Sequence, residues 1–148
     1  MAERFFLVRI CVIDGQGGGI GSIIIKRLKE EFAESVEILA LGTNSIATAQ
    51  MMKARANRGA SGENAIVRTA ATADIIIGPL SIVLANSMMG ELTARMAEAV
   101  ACSPARKILL PLTQERVELV GLTAQPLPHL VEEIITKKLK GLVNQTNV

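Results

Sequence analysis

Residues 7–32, LVRICVIDGQGGGIGSIIIKRLKEEF, contain the pattern that decides the fold. Residues 7–13 form a short apolar run that ends at Asp14 and Gly15, which is typical of a buried strand. From residue 20 onward the apolar residues instead recur at helical spacing. They are Ile20, Ile23, Ile24, Leu28 and Phe32. The stretch therefore predicts a strand, a glycine-rich loop and an amphipathic helix in succession.

The same alternation of strands and helices continues along the chain. Further strands are predicted at residues 36–41, 74–78, 107–112 and 117–122. Further helices are predicted at residues 46–56, 82–100 and 127–140. Strands that are apolar throughout and alternate with helices favour a mainly parallel sheet with helices on both faces, which is a three-layer α/β sandwich. Because no linker or repeat interrupts the pattern, we expect a single domain over residues 1–148.

Residues 65–69 fit two structures. They could form a short strand, or Ile66, Val67, Ala70 and Ala71 could line one face of a helix with Ser61 as its N-cap. We prefer the helix. The choice decides which edge of the sheet carries the loop at residues 59–64.

Composition excludes several classes of function. Hydrophobic residues make up 49% of the chain, and 16 basic against 14 acidic residues leave a net charge of +2. This balance produces no strong field for nucleic acid or membranes. The chain has three Phe and neither Tyr nor Trp, which argues against stacking on single-stranded nucleic acid. The longest uncharged run, residues 75–90, is shorter than the ~20 residues that a bilayer requires, so we expect a cytoplasmic protein.

Sulfur-containing residues suggest packing and association. Cys11 and Cys102 lie in apolar or alanine-rich surroundings, and we interpret both as small core residues. Met88, Met89 and Met96 add an apolar stripe to the predicted helix at 82–100. Since the chain is short and hydrophobic, we expect part of this helix to be buried in a homodimer.

Five of the twelve glycines lie within residues 15–21, between the first strand and the first helix. The amides at a helix N-terminus are free, and the helix dipole favours negative charge there. Glycines allow a phosphate to approach those amides without a Cβ atom in the way. A tight turn alone needs only one or two glycines. The loop therefore predicts a site for a small phosphate-bearing ligand.

The spacing of these glycines matches known phosphate loops only in part. Gly15, Gly19 and Gly21 fit G-x-x-x-G-x-G, and GGIG resembles the cofactor loop of short-chain dehydrogenases. The dinucleotide fingerprint G-x-G-x-x-G matches Gly15 and Gly17 but has Ile20 in place of its last glycine. The loop is therefore compatible with NAD(P) or another nucleotide and specifies neither.

Two enzyme classes are disfavoured. Without any tyrosine, the Tyr-x-x-x-Lys pair of short-chain dehydrogenases cannot exist. Ser22 stands where a Walker loop needs its lysine, which disfavours an ATPase. The second strand ends in Gly42, Thr43 and Asn44, where an acid would otherwise hold the ribose of NAD. Thr43 or Asn44 could bind a ribose or a phosphate instead.

Five motifs together resemble a small bacterial family of uncharacterised domains. They are VIDGQGGGIG at residues 12–21, LGTNSIAT at 41–48, GASGENAI at 59–66, DIIIGP at 74–79 and GEL at 90–92. The similarity extends over about residues 9–112. It implies a Rossmann-like fold, and it transfers no site because that family has no assigned activity.

A second, looser resemblance covers residues 39–80. The order ALGTN, GASGENAI and ADIIIGPL is similar to methylglyoxal synthase-like domains, whose phosphate pocket uses a threonine loop and a glycine-rich turn. This resemblance implies phosphate-binding roles for Thr43 and Asn44 and for Ser61, Gly62 and Glu63. The chain lacks the aspartate of the family's D-P-L strand end, so the enzyme's reaction is not implied.

The remaining acidic residues have competing interpretations. Asp14 either binds Mg²⁺ or accepts hydrogen bonds from the glycine loop, and we prefer the second. Glu63 and Asn64 are either a ligand pair or caps at a helix start. We interpret Glu91 as a solvated or interface residue. No pair of nucleophile and base stands out, so no catalytic residue and no metal ligand is assigned.

Three hypotheses follow. The first is a Rossmann-like domain that binds a nucleotide or NAD(P)-type dinucleotide. The second is an enzyme for a small phosphorylated metabolite, and the third is a non-catalytic oligomeric or sensory module. The candidate binding residues are Asp14, Gly15, Gln16, Gly17, Gly18, Gly19, Ile20, Gly21, Thr43, Asn44, Ser61, Gly62, Glu63, Gly78 and Pro79.

Overall fold

A computed structural model describes residues 7–141. Its strands are β1 (Val8–Asp14), β2 (Val36–Gly42), β3 (Arg58–Ser61), β4 (Ile75–Pro79) and β5 (Arg106–Leu110). Its helices are α1 (Gly19–Phe32), α2 (Ser45–Lys53), α3 (Glu63–Ala70), α4 (Ala94–Cys102) and α5 (Leu127–Glu133). Short 3₁₀ turns lie at Ala33–Ser35 and Leu80–Val83, and a π turn at Ile134–Lys138 continues α5.

The five strands form one parallel sheet in the order β3-β2-β1-β4-β5. In the register of β1 and β2, Asp14 lies beside Gly42, so both strands end at the same edge. The chain moves outward from β1 to β2 and β3, then returns to the other side of β1 for β4. In such sheets ligands bind outside the carboxyl ends of the strands where the order reverses, which is here between β1 and β4.

Each face of the sheet has its own hydrophobic core. Val8, Ile10 and Val12 of β1 pack with residues of α1, α2 and α5, whereas Cys11 and Ile13 pack with residues of α3 and α4. The side chains alternate because successive residues of a strand point to opposite faces. This arrangement confirms the predicted three-layer α/β sandwich of the Rossmann-like type.

At residues 58–70 the structure confirms the predicted helix but not the predicted N-cap. Residues 63–70 form helix α3, as preferred, but the N-cap position is Gly62, and Ser61 is the last residue of β3. The Ser61 hydroxyl donates to Thr48 Oγ1 at 2.7 Å, and no side chain forms a cap hydrogen bond at the start of α3. Strand β3 is not predictable from its sequence, because this edge strand is short and exposed throughout and so carries no apolar pattern.

The continuous helix predicted at residues 82–100 is wrong. The backbone turns at residues 84–92, where Asn86, Met88, Met89 and Gly90 have φ between 56° and 90°, and α4 begins only at Ala94. The helical stripe nevertheless identified core residues: Met88, Leu92, Met96 and Val100 are all buried. Met89 is 94% exposed, and the homodimer remains a prediction.

The strand predicted at residues 117–122 is also wrong. These residues belong to a loop, in which Val120 is fully exposed and Gly121 has φ of 90°. The alternation of apolar residues there has no neighbouring strand to pair with among the described residues. A strand pattern needs such a partner before its backbone groups can be satisfied.

The two cysteines differ, contrary to the expectation that both lie in the core. Cys11 is fully buried, and burial raises the pKa of its thiol to about 12, whereas Cys102 is exposed.

Because the thiolate is the reactive form, Cys102 should react with an aromatic disulfide reagent in the folded protein and Cys11 only after denaturation. Absorbance of the released thiolate measures this. Reaction of both thiols at equal rates without denaturant would contradict the structure.

Candidate ligand-binding site

The site begins with Asp14, the last residue of β1. Asp14 is 4% exposed, and its carboxylate accepts hydrogen bonds from the amides of Gly15 at 2.8 Å and Gly21 at 2.7 Å. The glycine loop is thus closed over the carboxylate that precedes it. This geometry agrees with the preferred interpretation of Asp14 as an acceptor for the loop.

The electrostatics of Asp14 reflect this enclosure. Burial raises the pKa of its carboxyl above the ordinary value, and the charge of Glu91 acts in the same direction. Hydrogen bonds from the amides of Gly21, Gly15 and Ile20 lower it and offset part of the burial. The ionised form of Asp14 therefore depends on the loop amides.

The five glycines of the loop divide into two groups. Gly15, Gly18 and Gly21 are buried, and a Cβ atom at each would collide with the chain. At Gly18 the Cβ atom would lie 2.7 Å from the carbonyl oxygen of Ala47, and its φ of 74° also disfavours other residues. Gly17 and Gly19 are exposed, and a Cβ atom there would meet nothing within 4 Å. Packing explains three glycines and leaves two unexplained.

The same two glycines carry the free amides of the loop. The amide of Gly18 donates to the carbonyl of Gly15, and that of Ser22 to the carbonyl of Gly18. Among residues 7–141 the amides of Gly17 and Gly19 donate no hydrogen bond. Open space and unused donors therefore coincide at the start of α1.

A cavity of about 340 Å³ adjoins this loop between the ends of β1 and β4. It is lined by Asp14, Gln16, Ile20, Pro79, Ser81, Met88, Leu112, Thr113, Gln114, Glu115 and Leu127. Its size lies within the usual ~300–1,000 Å³ of small-molecule sites. The cavity occupies the position where the strand order reverses.

Of the predicted residues at the end of β4, only one faces this cavity. Pro79 lines it. Gly78 has a packing role instead, because a Cβ atom there would lie 2.5 Å from the carbonyl oxygen of Ile13. Gly78 allows β4 to approach β1 closely.

Thr43 and Asn44 at the end of β2 are joined to the glycine loop by Glu91. The Oε1 atom of Glu91 accepts three hydrogen bonds: from the amide of Gln16 at 2.9 Å, the Thr43 hydroxyl at 2.7 Å and the Asn44 Nδ2 atom at 2.8 Å. Asn44 also caps α2 by accepting from the amide of Ala47. A carboxylate therefore occupies the space between the ends of β1 and β2.

Glu91, interpreted from the sequence as a solvated or interface residue, is half-buried, and its carboxylate accepts these three hydrogen bonds within the chain. Burial by itself would raise the pKa of its carboxyl, but hydrogen bonds from Thr43, the Gln16 amide and Asn44 outweigh burial and lower it. Glu91 is therefore ionised at neutral pH. Glu91 is the acidic residue of the GEL motif, between Gly90 and Leu92. Nothing in this local pattern indicates that its partner is Asn44, 47 residues away.

Ser61, Gly62 and Glu63 lie at the same edge of the sheet as the glycine loop, because Ser61 pairs with Gly42 in the parallel register. Their polar groups bind the chain itself. The Glu63 carboxylate accepts from the Thr93 hydroxyl at 2.6 Å and forms an ion pair with Arg95 at 3.3 Å. Glu63 thus joins the starts of α3 and α4.

Another cavity, of about 380 Å³, lies elsewhere. Arg9, Arg58 and Arg68 line it beside β3 and the end of α3. Arg58 is directed toward Glu37, with 3.5 Å between the charged groups. No residue of the glycine loop lines this cavity.

Two further properties concern metals and membranes. Within residues 7–141 the structure holds no cluster of three or more His, Cys, Asp or Glu side chains arranged to hold a metal ion. The same residues include no helix with the length and apolarity to cross a membrane.

Comparisons with known proteins identify a family. No curated protein matches the chain. Among solved structures, a universal stress protein in complex with cAMP is similar, with 18% sequence identity, a TM-score of 0.39, and coverage of 68% of this chain and 94% of that chain. A family model described as a domain of unknown function, DUF3842, matches residues 9–143. The chain therefore belongs to the DUF3842 family.

Proposed function

We propose that this protein binds a nucleotide or dinucleotide, and that a phosphate of the ligand accepts hydrogen bonds from the amides of Gly17 and Gly19. One observation carries the proposal: these two glycines are exposed, lack a packing role and present unused amides at the start of α1. Phosphates bind at helix N-termini because free amides and the helix dipole both favour negative charge.

The cavity beside the loop supports a ligand larger than phosphate. Its wall includes the apolar side chains of Ile20, Met88, Leu112 and Leu127 together with polar groups such as Thr113. Such a mixture suits a planar base, whose faces are apolar and whose edges form hydrogen bonds. A phosphate at Gly17 and Gly19 would place the rest of a nucleotide at the mouth of this cavity.

A thermal-shift panel of NAD⁺, NADPH, ATP, AMP and inorganic phosphate tests the proposal. A ligand at 100 times its dissociation constant stabilises the folded state by about 2.7 kcal/mol. For a chain of this size we expect a rise in Tm of about 8 °C. Nucleotides or dinucleotides should produce this shift, and inorganic phosphate a smaller one.

Other outcomes of the panel support other functions. Stabilisation by inorganic phosphate or small phosphoesters but by no nucleotide would favour an enzyme for a phosphorylated metabolite, with Thr43, Asn44, Ser61 and Glu63 near the ligand. No response to any compound would contradict ligand binding at the loop. The protein would then fit an oligomeric or sensory module in which the glycines serve packing alone.

A further inference from the structure

Glu91 brings a carboxylate to the end of β2, where the local sequence has none. The end of β2 reads Gly42, Thr43 and Asn44, yet the Glu91 Oε1 atom lies 2.7 Å from Thr43 Oγ1 and 2.8 Å from Asn44 Nδ2. The segment that carries Glu91 follows β4, and the side chains of Met88 and Glu91 pack against Gly15. The carboxylate thus reaches this place through tertiary structure.

The chain holds this carboxylate in one orientation. Three donors converge on Oε1: the Gln16 amide, the Thr43 hydroxyl and the Asn44 side-chain amide. The flanking residues Met88 and Leu92 are buried in the core, so the backbone is anchored on both sides of Glu91. By contrast, Oε2 accepts no hydrogen bond from residues 7–141.

A fixed, ionised carboxylate selects the chemistry of what binds beside it. It accepts hydrogen bonds from hydroxyl groups and repels phosphate, because like charges at short distance are unfavourable. In parallel sheets that bind nucleotides, a carboxylate near the end of the second strand accepts from ribose hydroxyls, and a 2′-phosphate requires a basic residue instead. Glu91 supplies the carboxylate that binding of ribose hydroxyls requires.

We propose that Glu91 is the ribose-binding residue of the nucleotide site, and that it selects ligands with free 2′ and 3′ hydroxyls over deoxyribose or 2′-phosphorylated ones. The inference rests on the proposed function. It makes AMP-type and NAD-type ligands the substrate class and excludes NADP-type ligands.

The layout of the loop is compatible with a sugar and its phosphate. The Gln16 amide binds Glu91, and the free amides of Gly17 and Gly19 follow one and three residues later. Since consecutive Cα atoms are about 3.8 Å apart, the phosphate donors lie within roughly 4–11 Å of Gln16 along the chain. The hydroxyls and the 5′-phosphate of one nucleotide lie within the same range.

Isothermal titration of the full chain with three probes tests this inference. The probes are AMP, 2′-deoxyadenosine 5′-monophosphate and adenosine 2′,5′-bisphosphate. We expect the wild type to bind AMP at least about tenfold more tightly than the other two, as is typical for a hydrogen bond to a charged group. Glu91→Gln should weaken AMP binding about tenfold and abolish the preference. In this variant the oxygen that the three donors hold is kept, and the other becomes a donor.

Matched variants separate the role of Glu91 from charge and folding. Glu98→Gln removes the same charge from an exposed position on α4 and should leave the preference for AMP unchanged. Thr43→Val removes one of the donors that orient Glu91 and should reduce the preference without abolishing it. Unfolding curves of each variant establish that it is folded.

Each remaining outcome overturns the inference. Equal binding of AMP and its 2′-deoxy form by the wild type would refute it while the proposed nucleotide site stands. If Glu91→Gln binds all probes and inorganic phosphate more tightly, Glu91 competes with the ligand for the Gln16, Thr43 and Asn44 donors. Absence of binding by every probe would contradict the proposed function and the inference together.

Discussion

Asp14→Ala is expected to lower the free energy of unfolding by about 2–4 kcal/mol, because the substitution leaves two buried amides without an acceptor, each worth about 1–3 kcal/mol. These are the amides of Gly15 and Gly21, at 2.8 and 2.7 Å from the Asp14 carboxylate. Burial raises the pKa of this carboxyl, so removing the charge offsets part of the loss. Urea unfolding followed by circular dichroism measures the change, and Tm should fall by about 6–12 °C.

Asp74 provides the matched control for this substitution. Its carboxylate also accepts from a backbone amide, that of Arg9 at 2.8 Å, but it is exposed to solvent. Water can replace the lost acceptor there, so Asp74→Ala should cost less than about 1 kcal/mol. Equal effects at Asp14 and Asp74 would show that the buried carboxylate does not hold the glycine loop.

The double variant Gly17→Ala/Gly19→Ala is expected to separate ligand binding from stability. Neither new Cβ atom meets a neighbour within 4 Å, and neither residue has φ in the left-handed region. Alanine also reduces the entropy of the unfolded chain, so the free energy of unfolding should stay constant or rise by up to about 1 kcal/mol. The methyl groups nevertheless occupy the approach to the free amides. We expect AMP affinity to fall by at least tenfold, or about 1.4 kcal/mol.

Gly18→Ala should produce the opposite pattern and serves as the control. Its φ of 74° is unfavourable for alanine by about 1–2 kcal/mol, and its Cβ atom would lie 2.7 Å from the carbonyl oxygen of Ala47. This variant should have a lower free energy of unfolding than the wild type and should still prefer AMP over the other probes. If the double variant at Gly17 and Gly19 binds AMP as the wild type does, the phosphate does not bind at these amides.

Much of the fold is local enough to predict from the sequence. The run at residues 7–13, the glycine loop and the helical spacing from Ile20 onward each have a short-range physical cause, and together they predict β1, the loop and α1. The preference for a helix at residues 65–69 was correct for the same reason, because its apolar residues repeat with helical period.

Local sequence patterns predicted the wrong structure where the backbone conformation depends on residues that are distant along the chain. Residues 84–92 carry a helical stripe, but left-handed residues such as Met88 and Met89 turn the chain so that the same side chains enter the core by another path. Residues 117–122 alternate like a strand but have no described strand beside them. Strand β3 has no apolar pattern and forms because β2 offers an unpaired edge.

The sequence by itself determined that a glycine-rich loop joins the first strand to an amphipathic helix, since strand, turn and helix signals act over a few residues. Only the tertiary structure decided which glycines serve packing and which present free amides, because that depends on Ala47, Met51 and Met88 from other elements. It also placed Glu91 at the end of β2. Hydrogen bonds and excluded volume act between groups that are close in space, and separation along the chain does not reveal which groups those are.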